Sequence, residues 1–93
     1  MHGEVCNIIK EVPLPVLEDF RLFVRVAKSV LSLSKDKDPT VLREVAKMEK
    51  YRKLVIETAK REMSIEEARR VIRCVNNYFD FILTSAEKNL EFC

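Results

Sequence analysis

The chain has no tryptophan, no glutamine and a single glycine, Gly3. A glycine-rich loop that could cradle phosphates is therefore absent. The only histidine is His2, so no histidine stands ready as general base beside a serine or cysteine, and no close carboxylate cluster takes its place. Three cysteines, Cys6, Cys74 and Cys93, lack the CxxC spacing of zinc sites. We expect no enzyme, no metal and no cofactor. No apolar run approaches the roughly 20 residues that span a bilayer, and the opening MHGEVCNIIKEV has no basic segment leading into a long apolar one. The expectation is a cytoplasmic protein with no membrane association.

A large excess of one charge is missing too. Seventeen basic residues stand against fifteen acidic ones, a formal charge of +2, whereas a dedicated nucleic-acid protein usually carries a clearer basic surplus. What is present is 47% hydrophobic and 34% charged residues, enough apolar material to order a 93-residue chain. This charge-rich, glutamine-free make-up matches that of heat-adapted proteins and suggests a thermophile.

The apolar residues recur at helical spacing, which predicts an all-α, up-down-up three-helix bundle forming one domain over residues 1–93. Residues 1–13 form a lead-in, helical or extended, in which Val5, Ile8, Ile9 and Val12 share a face before Pro13 ends it. A first helix over 15–33 starts with Pro15 in its first turn, and Glu18 and Asp19 follow where the helix dipole favours acids. SKDKDP is the one plain connection. Asp38 is placed to cap a second helix over 39–62, with Pro39 at its first position.

The stretch KREMSIEEARR holds no Gly or Pro, so local composition does not say whether the helix continues through it. Phase decides. The stripe Val41, Val45, Met48, Val55, Ala59, with Tyr51 and Ile56 at its edges, and the stripe Ala68, Ile72, Val75, Phe79, Ile82, Ala86 point roughly 180° apart on one continuous helix at about 100° per residue. A corner at Met63–Ser64 resolves the conflict and starts a third helix over 65–90. Ser64 and Glu67 have capping-box spacing, and Met63 with Ala68 fits a hydrophobic staple. Folding there brings Ala59 level with Ala68, Val55 with Ile72, Met48 with Phe79, Val45 with Ile82 and Val41 with Ala86. Stripe meets stripe at each level.

The first helix is apolar over more than half its circumference. Val16, Leu17, Phe20, Phe23, Val24, Ala27, Val30 and Leu31 form the face, and Leu22, Val26 and Leu33 widen it. Either the lead-in covers the surplus or another chain does. The leading functional expectation is therefore a non-catalytic protein-interaction module, a homodimer or a small subunit of an assembly, with its interface on Leu22, Val26 and Leu33 and a lesser contribution from Phe81. The alternative is a nucleic-acid-binding accessory protein using the ridge Arg43, Lys47, Lys50 and Arg61. That ridge is interrupted by Leu54 and Glu57 and lacks aromatic residues for base stacking.

Three smaller expectations complete the reading. Asp19 and Arg52 interrupt facing apolar stripes and are expected to form a register-fixing ion pair; otherwise Arg52 turns its head outward and Asp19 serves only the dipole. Cys74, among Val71, Tyr78 and Phe81, reads as a small buried hydrophobe. Cys6 and Cys93 lie near opposite ends, and a disulfide between them is left open.

Overall fold

The computed structural model describes residues 12–91. The lead-in before Val12, together with Cys6 and Cys93, lies outside the described residues. Among the described residues three helices make an all-α bundle: α1 (Leu14–Lys35), α2 (Val41–Glu62) and α3 (Ile65–Glu91). They run up, down and up within an envelope of 44 × 24 × 16 Å.

The corner falls where the phase conflict places it. α2 stops at Glu62, Met63 is extended at φ −130° and ψ 162°, and α3 begins at Ile65. Ser64 makes the turn stable: its Oγ accepts the Glu67 backbone N–H at 3.3 Å and donates to Glu67 Oε1 at 3.0 Å. The Ser64 half of the expected capping box is formed; Glu67 reaches back to the Ser64 hydroxyl and not to its backbone N–H. Met63 is partly buried against the core and Ala68 is buried, as a staple requires.

The matched stripes close on each other at all levels but one. Val41, Met48, Val55 and Ala59 from α2 and Ala68, Val75, Ile82 and Ala86 from α3 are all buried, while Val45 and Phe79 are partly buried against them. Ile72, expected level with Val55, instead lines a groove at the corner, and Val71, 2% exposed, takes the core position beside it. Arg52 Nη1 donates to Asn76 Oδ1 at 2.9 Å across the seam, within one residue of the expected register. α1 closes the third side. Phe23, fully buried, meets the Tyr78 ring edge-on at 5.8 Å, and Asn89 Nδ2 donates to Ser34 Oγ at 3.0 Å. Both contacts join residues 55 apart in sequence, as two parallel helices in one fixed register require.

Two helix starts differ from expectation. α1 begins at Leu14, so Glu18 and Asp19 fall in its second turn, where the dipole is weaker. α2 begins at Val41, and Thr40, not Asp38, stands at its N-cap position. Asp38 Oδ1 instead accepts from Thr40 N at 2.9 Å and from Thr40 Oγ1 at 2.8 Å. The carboxylate thus holds a local turn just before the helix, a competition typical of Asp. These two bonds hold the Asp38 carboxyl below its ordinary value, the backbone donor contributing more than the hydroxyl.

The α1–α2 loop contains a feature that composition concealed. Lys37 has φ 55°, the left-handed region usually given to glycine. Its N–H bonds Ser34 O at 3.1 Å, and the Asp38 N–H bonds Leu33 O at 3.0 Å, together a Schellman closure of α1. Lys37 Nζ also donates to Asn89 O at 2.8 Å, near the negative end of α3. The same side chain therefore ties the loop to the far helix.

Candidate interaction surface

One part-buried hydrogen bond crosses the α1–α2 seam. Thr58, 2% exposed, donates from Oγ1 to Asp19 Oδ2 at 2.6 Å. The ion pair expected between Asp19 and Arg52 is not formed. Arg52 turns instead to α3, where its guanidinium lies 4.7 Å from the Phe79 ring centroid and bonds Asn76. Its Nε is buried without a hydrogen-bond partner. Asp19 gains a hydroxyl donor already inside the core, and Arg52 gains a ring face and an amide; neither arrangement requires two charges to be desolvated together.

Three residues beyond Asp19 on α1 is Leu22, and four before Thr58 on α2 is Leu54. Because the helices are antiparallel, these steps run the same way along the seam and bring the two leucines level on its outer side, away from α3. Each is 38% exposed. Leu22 is thus placed at the surface as expected. Val26 is not: it is 8% exposed and belongs to the core. Leu33 is partly buried and packs against the core as well. The wide arc of α1 is thus largely covered within the chain. Phe81 is 51% exposed, but it lies three residues past Tyr78 on the α1 side of α3, and is not brought together with Leu22.

Leu54, an interruption of the basic ridge in the sequence, is exposed too. Helix spacing sets it level with Leu22 on the surface, and the signal for it is its apolar nature on an otherwise charged face. The ridge itself is exposed but divided. Lys47 Nζ pairs with Glu44 at 3.2 Å, and Arg61 Nε pairs with Glu62 at 3.5 Å. Arg43 and Lys50 are exposed and have no ion pair among the described residues.

Elsewhere the described residues offer little chemistry. Among them no group of three or more His, Cys, Asp or Glu side chains is placed to hold a metal ion. Cys74 is buried and free, as a small hydrophobe should be. Burial pushes its thiol up from the ordinary value, partly countered by the Arg73 charge. At the α2–α3 corner Lys60, Ile65, Ala68, Arg69 and Ile72 line a groove of about 260 Å³. No helix among the described residues is long and apolar enough to cross a membrane. No protein-family model, curated protein or solved structure matches the chain.

Proposed function

We propose that this chain is a non-catalytic protein-interaction module, acting as a homodimer or as a small subunit, and that it docks through the outer α1–α2 face. The observation that carries this reading is the pair Leu22 and Leu54, two large aliphatic side chains each 38% exposed, which helix spacing from the Asp19–Thr58 bond sets at one level of the α1–α2 seam; Leu14, at 63%, is exposed toward the start of α1. Such a pair rimmed by charge matches the apolar centre and polar rim of an interface. Phosphate tracking by the α2 ridge is supported less well, since Lys47 and Arg61 already hold carboxylates.

The test is the double variant Leu22→Asp and Leu54→Asp, expressed as the full chain in its native host. Both sites are exposed enough for circular dichroism to retain the wild-type helical signal. The expected result is loss of the complexes that the wild-type chain forms on gel filtration. Complexes retained undiminished by the variant would refute the reading.

A further inference from the structure

The charges around Leu22 and Leu54 follow a pattern on both helices. On α1, Glu18 lies four residues before Leu22 and Arg25 three after it. On α2, Lys50 lies four residues before Leu54 and Glu57 three after it. The helices are antiparallel, so the two series superimpose. Glu18 and Glu57 come level at one side of the leucines, and Arg25 and Lys50 come level at the other, each about 4.5–6 Å along the axis. All four are exposed, and none is ion-paired within the chain among the described residues. Around the leucines the face therefore has a row of two free carboxylates on one side and a row of two free cations on the other, with Arg21, also exposed, between Glu18 and Arg25 on the α1 ridge.

A surface of this kind is complementary to itself. Consider a second copy turned about a two-fold axis that crosses both helices at the leucine level. Its α1 lies antiparallel on α1 and its α2 on α2, so Leu22 meets Leu22 and Leu54 meets Leu54. Glu18 then faces Arg25 of the other copy, and Glu57 faces Lys50. A two-fold axis along the helices instead would set carboxylates against carboxylates and cations against cations, which repel. One turn further out, the first arrangement brings Lys47 near the other copy's Arg61. Each is already neutralised at home, by Glu44 and Glu62 respectively. The envelope is 44 Å long and 16–24 Å across, so one face brackets the roughly 800 Å² per partner of a stable interface.

From this charge pattern we infer that the occupant of the outer α1–α2 face is a second copy of this chain, packed as an antiparallel, isologous dimer centred on Leu22 and Leu54. The inference rests on the reading of that face as the docking surface and adds the partner and its orientation. Sedimentation equilibrium of the full chain tests it, from micromolar to millimolar concentration. The expected mass is twice the 10.9 kDa of the chain. Glu18→Lys with Glu57→Lys leaves all four positions cationic, and Arg25→Glu with Lys50→Glu leaves all four anionic. Each double reversal weakens self-association at least about tenfold, the scale of losing close charge pairs across an interface. Mixed together, those two variants form a heterodimer, and a chain carrying all four reversals recovers the homodimer. Circular dichroism confirms that each variant keeps its helices.

A wild-type monomer at every concentration would overturn the dimer. The module reading would survive that result if the double leucine variant still lost its native complexes. A dimer indifferent to both charge reversals would overturn the orientation and with it the inference.

Discussion

Removing the Thr58 hydroxyl gives the sharpest test of how the bundle is held. Thr58→Val keeps the volume of the side chain and replaces a buried donor by a methyl group facing the Asp19 carboxylate. At 2.6 Å the bond is in the short range of hydroxyl-to-carboxylate hydrogen bonds, and bonds to charged groups contribute about 1.5–3 kcal/mol. Asp19 is only partly buried, so water reaches its other oxygen and the lower end of that range applies. We expect a loss of about 1.5–2 kcal/mol, which for a domain of this size lowers Tm by roughly 6–16 °C.

Urea unfolding followed by circular dichroism, at one low chain concentration so that self-association does not enter, measures the loss. A double-mutant cycle with Asp19→Ala isolates the pair and should return a coupling of about 1.5 kcal/mol. The cycle of Asp19→Ala with Arg52→Met should return less than about 0.5 kcal/mol, since those residues share no partner. A Thr58→Val cost below about 0.5 kcal/mol would sink the argument. So would a coupling to Arg52 as large as that to Thr58.

Other predictions address the ends of the helices and the buried thiol. Ser64→Ala removes both hydroxyl bonds to Glu67 and should cost about 1 kcal/mol in thermal unfolding, while Ser64→Asp, which keeps the acceptor for the Glu67 N–H, should cost less than half of that. Lys37→Gly should be more stable than Lys37→Ala by about 1 kcal/mol, because both lose the bond to Asn89 and only glycine relieves the left-handed backbone; equal stabilities would contradict the Schellman closure. Burial raises the Cys74 pKa above its ordinary 9.0, so the folded chain holds the thiol proton more tightly than the unfolded chain does. That contribution is complete below pH 9.0 and is lost as pH rises through the folded value. With Cys6 and Cys93 replaced by Ser, the stability advantage of Cys74 over Cys74→Ala should shrink steadily above that pH, and a constant difference would refute it.

The corner and the α2–α3 register were legible because they depend on apolar phase, which the sequence states directly. Arg52 bonding Asn76 lies within one residue of the level that the stripes define. The α1–α2 seam was harder to read. Its fastening is Thr58, a polar residue at the edge of a stripe, and nothing in the spacing distinguishes it from an exposed threonine until α1 is placed against it. The same holds for Ser34, fully buried and bonded to Leu31 O at 2.7 Å while accepting from Asn89. These polar contacts join helices far apart in sequence, so their partners are set by the packing and not by local pattern. Lys37 was hidden for another reason. With Gly3 the only glycine, the chain had to close α1 with a residue that does not announce a left-handed turn.

The wide apolar arc of α1 is now largely accounted for within the chain. Val26 on the α2 flank is buried, Val24 and Leu31 on the other flank are partly buried against the core, and Leu33 packs against it too. Of the three residues that widened the arc, only Leu22 is left at the surface. Two leucines, each 38% exposed, present a small apolar area compared with a whole helix face, and area of that size gives little selectivity by itself because any apolar partner satisfies it. Selectivity then falls to the groups around the leucines. Glu18, Arg25, Lys50 and Glu57 are suited to it: free charges of alternating sign cost little while solvated, and they penalise every partner whose charges do not alternate the opposite way. A partner held mainly by apolar contact would tolerate their reversal, and the salt dependence of association separates the two cases. Binding that weakens between low and high ionic strength, by an amount the four-fold reversal leaves unchanged, identifies charge as the element that chooses the partner.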